Sequence, residues 1–191
     1  MTTDAIAAFI DDVKRVLAAE GPTAAGLARI ATRMGTFVSQ AGAGDGSETP
    51  AGNIHEGPRA QSGPLYQDET GLTLVRARFG PEALTPIHNH GSWGVIGVYQ
   101  GRDRYQRWRR LDCGHGPGEA AVELVEERVL AAGDVVILPP PPQDIHAQQG
   151  LDGAAALEYV LFGRGDIAMT QPRLYFDVAQ GRAEQVVPGR G

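Results

Sequence analysis

Thr85–Tyr99 reads TPIHNHGSWGVIGVY, and the rest of the chain is best understood from this stretch outward. A Thr-Pro step stiffens the entry, and a Gly-Ser pair breaks the segment before an apolar run begins. In extended backbone, residues two apart point to one face, so His88 and His90 project together with their Cα atoms about 7 Å apart. Two imidazoles so placed can grip one metal ion if their rings lean together. A second segment, Gly133–Pro139 (GDVVILP), is a short apolar strand. It is followed by a proline-rich turn and then Gln143-Asp144-Ile145-His146. If this strand lies across a barrel from the first, His146 completes a facial site of three histidines.

Around these two segments the texture is β. Leu72–Phe79 alternates, with Thr73, Val75, Ala77 and Phe79 on one face and Leu72, Leu74, Arg76 and Arg78 on the other. On that parity Arg76 and Arg78 face outward. Further strands are expected at Ser92–Tyr99, Arg102–Arg109, Ala121–Leu130, Val135–Leu138 and Leu157–Phe162, punctuated by Gly- and Pro-rich turns. Many short strands without intervening helices argue for an antiparallel sandwich or barrel. Before them, Ile6, Phe9, Ile10, Val13, Val16 and Leu17 form a helical stripe, which Asp4 can cap and Gly21-Pro22 ends. A second helix is expected from Pro22 or Thr23 to about Ser39, with Leu27, Ile30, Met34, Phe37 and Val38 inward. The chain therefore divides into a helical appendage (1–40), a connector (41–63) and a barrel domain (64–191). The connector holds six Gly and two Pro among 23 residues, and its His55 reads as a solvated loop residue.

Composition narrows the function. The chain has 191 residues, 42% hydrophobic and 21% charged, with a net charge of −6. This is ordinary for a soluble globular protein and gives no support to a nucleic-acid or polybasic membrane surface. Cys113 is the only cysteine, which excludes an internal disulfide and a Cys-based zinc finger. The first twelve residues carry three Asp and no basic residue, unlike a secretory signal, and the expected location is the cytoplasm. The run Arg102, Arg104, Arg107, Arg109 and Arg110 reads as a solvated or interface face.

The histidine pair, Gly101 seven residues after Gly94, and the later Gly-x5-Pro…His segment match the two-part signature of the cupins. The fold that this resemblance implies is mostly β, a double-stranded β-helix (jelly-roll) barrel with two N-terminal α-helices. Cupins usually place a glutamate four residues after the second histidine, and here that residue is Gly94. More closely, HNHGSWG (His88–Gly94) followed by Val95-Ile96-Gly97-Val98 resembles the thiol dioxygenases, namely cysteine dioxygenase and the bacterial 3-mercaptopropionate dioxygenases. The preceding Thr-Pro and the Gly133-Asp134…Asp144-Ile145-His146 segment belong to the same resemblance, which covers roughly Leu65 to Gly163. It implies Fe(II) held by His88, His90 and His146, a small anionic thiol bound as thiolate, and O2 consumed to give a sulfinic acid. The family's cysteine–tyrosine crosslink cannot form with Gly94 at the cysteine position, a glycine that the bacterial members share.

The family's Ser-x-His-x-Tyr strand has no counterpart in kind. Anchoring on Gly163 puts Glu158, Val160 and Phe162 at those three places. Glu158 becomes the candidate catalytic or substrate-contacting carboxylate. Phe162 and Trp93 are candidate pocket walls. Arg164, with Arg173 as the alternative, is the candidate for binding a substrate carboxylate. Two further readings stay open here: Zn2+, Mn2+ or Ni2+ at the histidines for isomerisation or hydrolysis with Glu158 as base, and a non-catalytic metal- or ligand-binding cupin. The resemblance also leaves room for a homodimer.

Overall fold

The computed structural model describes residues 2–42, 64–164 and 172–186. The connector beyond Gly42, with His55, and the last five residues lie outside them. Two helices precede twelve strands. α1 (Thr3–Glu20) starts at Thr2, whose Oγ1 accepts the Ala5 N–H at 3.3 Å, so the cap lies two residues earlier than Asp4. Gly21, at φ 63° and ψ −173°, closes the helix in a positive-φ conformation that favours glycine. α2 (Ala24–Gly42) opens at Thr23, whose hydroxyl accepts the Gly26 N–H. The expected stripes are the buried ones, and Phe9 stacks on Phe37 with ring centroids 4.4 Å apart.

The strands are β1 (Tyr66–Gln67), β2 (Thr73–Phe79), β3 (Ile87–His88), β4 (Gly94–Gln100), β5 (Arg102–Arg110), β6 (Gly118–Glu119), β7 (Val122–Ala131), β8 (Val135–Leu138), β9 (Ile145–Gly150), β10 (Ala156–Phe162), β11 (Arg173–Asp177) and β12 (Arg182–Val186). All pairings are antiparallel and make two sheets, β1-β2-β10-β4-β8 and β6-β12-β11-β3-β9-β5-β7. The fold is an antiparallel two-sheet β-sandwich of jelly-roll type, as expected from the sequence. Six expected strands are found within one or two residues. The sequence reading missed β9, which it took as a turn leading to a lone histidine, and the β11–β12 hairpin.

Alternation gives each sheet two faces. Ala77, Phe79, Ile96, Val98, Tyr105, Leu130, Val136, Leu138, Ala156, Val160 and Phe162 form the barrel interior. On the outer side of the five-stranded sheet, Leu72, Leu74, Val95, Tyr159 and Leu161 pack under the helices, and Tyr159 meets Phe37 edge-on at 4.9 Å. A third cluster, with Ile145, Phe176, Ile87, Trp108 and Leu174, covers the outside of the seven-stranded sheet. Along the edge strand β7, Glu127, Glu126 and Glu123 pair with Arg104, Arg107 and Arg109 of β5. No helix among the described residues is long and apolar enough to cross a membrane.

Helix α2 can lie on the sheet only because β4 offers a bare backbone at Gly97. A Cβ there would meet Val38 Cγ1 at 2.7 Å and Met34 Cγ at 2.8 Å. Gly97→Val is expected to lower stability by about 1–3 kcal/mol through overpacking, measured by urea unfolding. Gly116→Ala, where an added Cβ meets nothing within 4 Å, should leave the midpoint unchanged.

Candidate metal centre

His88 ends β3, and His146 stands opposite it as the Cα partner on β9. His90 follows two residues after His88. All three rings point inward, and their ring nitrogens form a group with ligand atoms within 4.8 Å of one another. The Nε2 atoms converge: His90 lies 3.1 Å from His88 and 2.8 Å from His146. Two ligand atoms, each about 2.1 Å from one ion and at right angles to one another, are roughly 3.0 Å apart. The donor set therefore fits a divalent ion bound facially by three imidazoles. One ring proton can bridge only one of these contacts, whereas a cation satisfies all three lone pairs. On His88 the orientation is fixed from behind, where Nδ1–H donates to the Pro86 carbonyl at 2.9 Å, leaving the Nε2 lone pair for the ion.

His90 sits on a turn rather than a strand, and Asp144 fixes it. One carboxylate oxygen of this buried residue accepts the N–H groups of His90 (3.0 Å) and Gly91 (2.6 Å). Burial raises the Asp144 pKa, while these N–H groups pull it down. The clamp ties the turn carrying the second histidine to the approach to β9, which carries the third. Sequence reasoning quoted Asp144 only as part of a motif. Its position two residues before His146, in a turn otherwise short of donors and acceptors, was the available signal.

The walls are aromatic. Phe162 stacks on His90 (centroids 4.6 Å) and Tyr175 on His88 (5.5 Å). A Cβ built on Gly94 would meet Phe162 Cδ1 at 3.4 Å. The benzyl group thus fills the side from which cupins usually present a glutamate, and among the described residues no carboxylate belongs to the histidine group. Trp93, expected to wall the pocket, packs instead with the apolar cluster beneath the helices. Arg164 is exposed, and its backbone N–H is engaged by Ser92 Oγ at 2.8 Å. Arg173 is buried, two residues from Tyr175 and on the same face of β11 as it. Of the arginine run on β5, Arg107 stands opposite His146 and turns inward, held by Glu126 at 3.0 Å.

Glu158 points inward, as its parity predicts, but lies four residues along β10 from Phe162, about 13 Å of strand. Its partners are neither the metal side nor an arginine. Gln148 Nε2 donates to Glu158 Oε2 and to Asp103 Oδ2, each at 2.9 Å, and the two carboxyl groups also interact directly. Both acids are wholly buried. Burial raises the Asp103 pKa to about 7. It also raises that of Glu158 well above its ordinary value, and the neighbouring Asp103 charge adds to the rise. Asp103 was unforeseen because the surrounding arginines made β5 look like a solvated strand.

No family model matches the sequence. Among solved structures, the chain is similar to a cupin-like protein from Thermotoga maritima, at 18% identity and a TM-score of 0.40 over 59% of this chain and 74% of that one. It is also similar to an oxalate oxidase, at 24% identity and TM-score 0.39, where 49% of this chain matches 42% of that one. A third likeness is to a hydroquinone 1,2-dioxygenase solved with Cd2+ and 4-hydroxybenzonitrile, at 14% identity and TM-score 0.43 over 55% and 64% of the two chains. The chain thus spans less than half the length of the oxalate oxidase.

Two outcomes follow from this geometry. Asp144→Ala, which frees the His90 turn, should weaken divalent-ion binding about 10–100-fold in a chelator competition, the usual effect of removing a ligand-orienting partner. Because the Asp103 pKa is raised on folding, the folded state holds a proton that the unfolded chain releases above pH ~3.9. Stability should therefore fall as pH rises from there to about 7, and Asp103→Asn should flatten this slope in urea titrations.

Proposed function

We propose that this protein is a non-haem Fe(II) dioxygenase of the thiol-dioxygenase type, which converts a small anionic thiol and O2 to a sulfinic acid. The observation that carries the reading is the convergence of three imidazoles with, among the described residues, no carboxylate beside them. His88, His90 and His146 would hold the ion, with Zn2+, Mn2+ and Ni2+ as the alternatives that the same donors accept. Bound there, Fe(II) would supply redox chemistry, open facial positions and a nearly uncompensated double positive charge, which suits a thiolate or carboxylate ligand.

The chain's own residues supply the rest. Phe162 and Tyr175 line two of the histidines with apolar ring faces, which keeps bulk water from the reacting sulfur. Arg173 is the substrate-orienting cation of this reading, because it is buried on the face of β11 that also presents Tyr175. In the overall change, R–SH + O2 → R–SO2H, both oxygen atoms end on sulfur, so sulfur is oxidised as O2 is reduced.

Oxygen consumption by the Fe(II)-loaded protein tests the proposal against cysteine, 3-mercaptopropionate, cysteamine, mercaptosuccinate and thiol-free acids. Uptake with one thiol is expected, and His146→Ala should abolish it. Arg173→Gln should raise the KM for a carboxylate-bearing thiol about 10–100-fold, the value of one charge-assisted hydrogen bond, while Arg164→Gln leaves it unchanged. No uptake with any thiol at full iron loading would overturn the assignment.

A further inference from the structure

Beneath the metal centre, the barrel interior carries a column of polar side chains that the proposed chemistry has not yet used. On β5, Asp103, Tyr105 and Arg107 share the inward face, opposite Gly150, Gln148 and His146 of β9. The Tyr105 ring lies 5.9 Å from that of His146, centroid to centroid. Two residues further down are the Asp103 and Glu158 carboxyls, joined by Gln148. The remaining walls at this depth are Ala77 and Phe79 of β2, Val98 of β4 and Leu130 of β7. Among the described residues no cation faces the pair. On the same inward face of β5, Arg107 stands at the level of His146 and is bonded to Glu126.

Two carboxylates in hydrogen-bond contact in an apolar barrel cannot both ionise, so they hold at least one proton between them. Three atoms around them, the Tyr105 hydroxyl, Gln148 Oε1 and Glu158 Oε1, are buried with no hydrogen-bond partner among the described residues. Buried polar atoms so grouped call for ordered water, which would connect Tyr105 to the pair. Burying two acids in a barrel core is costly, and a pair of like charges adds to that cost. This site is therefore more than packing.

We propose that Asp103 and Glu158 form a proton store for the metal centre, taking up the proton that a thiol loses when it binds as thiolate. The inference rests on the thiol reading above. In the resting protein the pair holds one proton as a carboxyl–carboxylate. When R–SH binds as R–S−, the pair takes up its proton and becomes two neutral carboxyls. The product leaves as the sulfinate anion, and the stored proton returns to solvent. Charge and atoms balance without any further reactant. The near-neutral titration of Asp103 suits a group that must accept a proton at working pH.

The test is anaerobic binding of 3-mercaptopropionate and cysteine to the Fe(II)-loaded protein at about pH 7.5, below the ordinary thiol pKa of roughly 8.5. Calorimetry in two buffers of different ionisation enthalpy counts the protons released. Because the incoming thiolate charge raises the pair's affinity for a second proton, the wild type should release fewer protons per thiolate bound than Glu158→Gln and Asp103→Asn, which should release about one. An infrared difference spectrum of the wild type alone should gain a protonated-carboxyl C=O band on thiol binding. Thiol binding with equal proton release in all three proteins, or without the carboxyl band, overturns the store and leaves the dioxygenase reading standing. Failure of the wild type to bind any thiol overturns that reading, and the store with it.

Discussion

The site depends on a carboxylate that touches no metal ligand's ring. Asp144 Oδ2 gathers the backbone N–H groups of His90 and Gly91, and so fastens a turn with no ladder of its own to the turn leading into β9. Asn89 is tied to β11, donating its N–H to the Leu174 carbonyl at 3.1 Å and accepting the Leu174 N–H at 2.8 Å, and the Asp144 clamp fixes the next two residues, His90 and Gly91. A tridentate site needs its third donor placed to within about half an ångström. Here that placement comes from two main-chain hydrogen bonds to a buried acid, an economical solution for a histidine outside regular structure.

Much of this was legible in the sequence because period-two alternation is a direct record of facing. The parity of Leu72–Phe79 foretold which side chains enter the barrel, and the anchoring on Gly163 foretold that Glu158, Val160 and Phe162 turn inward while Tyr159 turns to the helices. The histidine trio was legible for the same reason, since His-x-His shares one face. The strand that carries His146 was hidden. Ile-His-Ala-Gln-Gln-Gly has few β-branched residues and follows four prolines, and its strand character comes from having partners on both sides, which local sequence does not encode.

The substrate-side residues were harder to read for a different reason. Trp93 and Arg164 were chosen for their place in a motif or a loop, and three-dimensional packing decides such residues. The indole lies under the helices because Trp93 comes just before β4 and its ring goes with the outward set of Val95 and Tyr159. Arg173, the alternative to Arg164 in the sequence, gained its place beside the histidines only through the pairing of β11 with β3. The Asp103–Glu158 contact joins residues 55 apart in sequence across the two sheets, and no pairwise pattern in the chain announces it.

The row of arginine–glutamate pairs between β5 and β7 has a consequence for how the molecule keeps to itself. β7 is the longest strand of the barrel and ends the larger sheet, so its outer main-chain groups resemble an open template for any extended segment. Glu123, Glu126, Glu127 and Arg128 line that margin with charge on both faces. A greasy strand docking there would have to strip water from these charges on both sides. The same side chains that knit the last two strands together thus break up the apolar surface that Leu124, Val125 and Val129 expose on this edge strand.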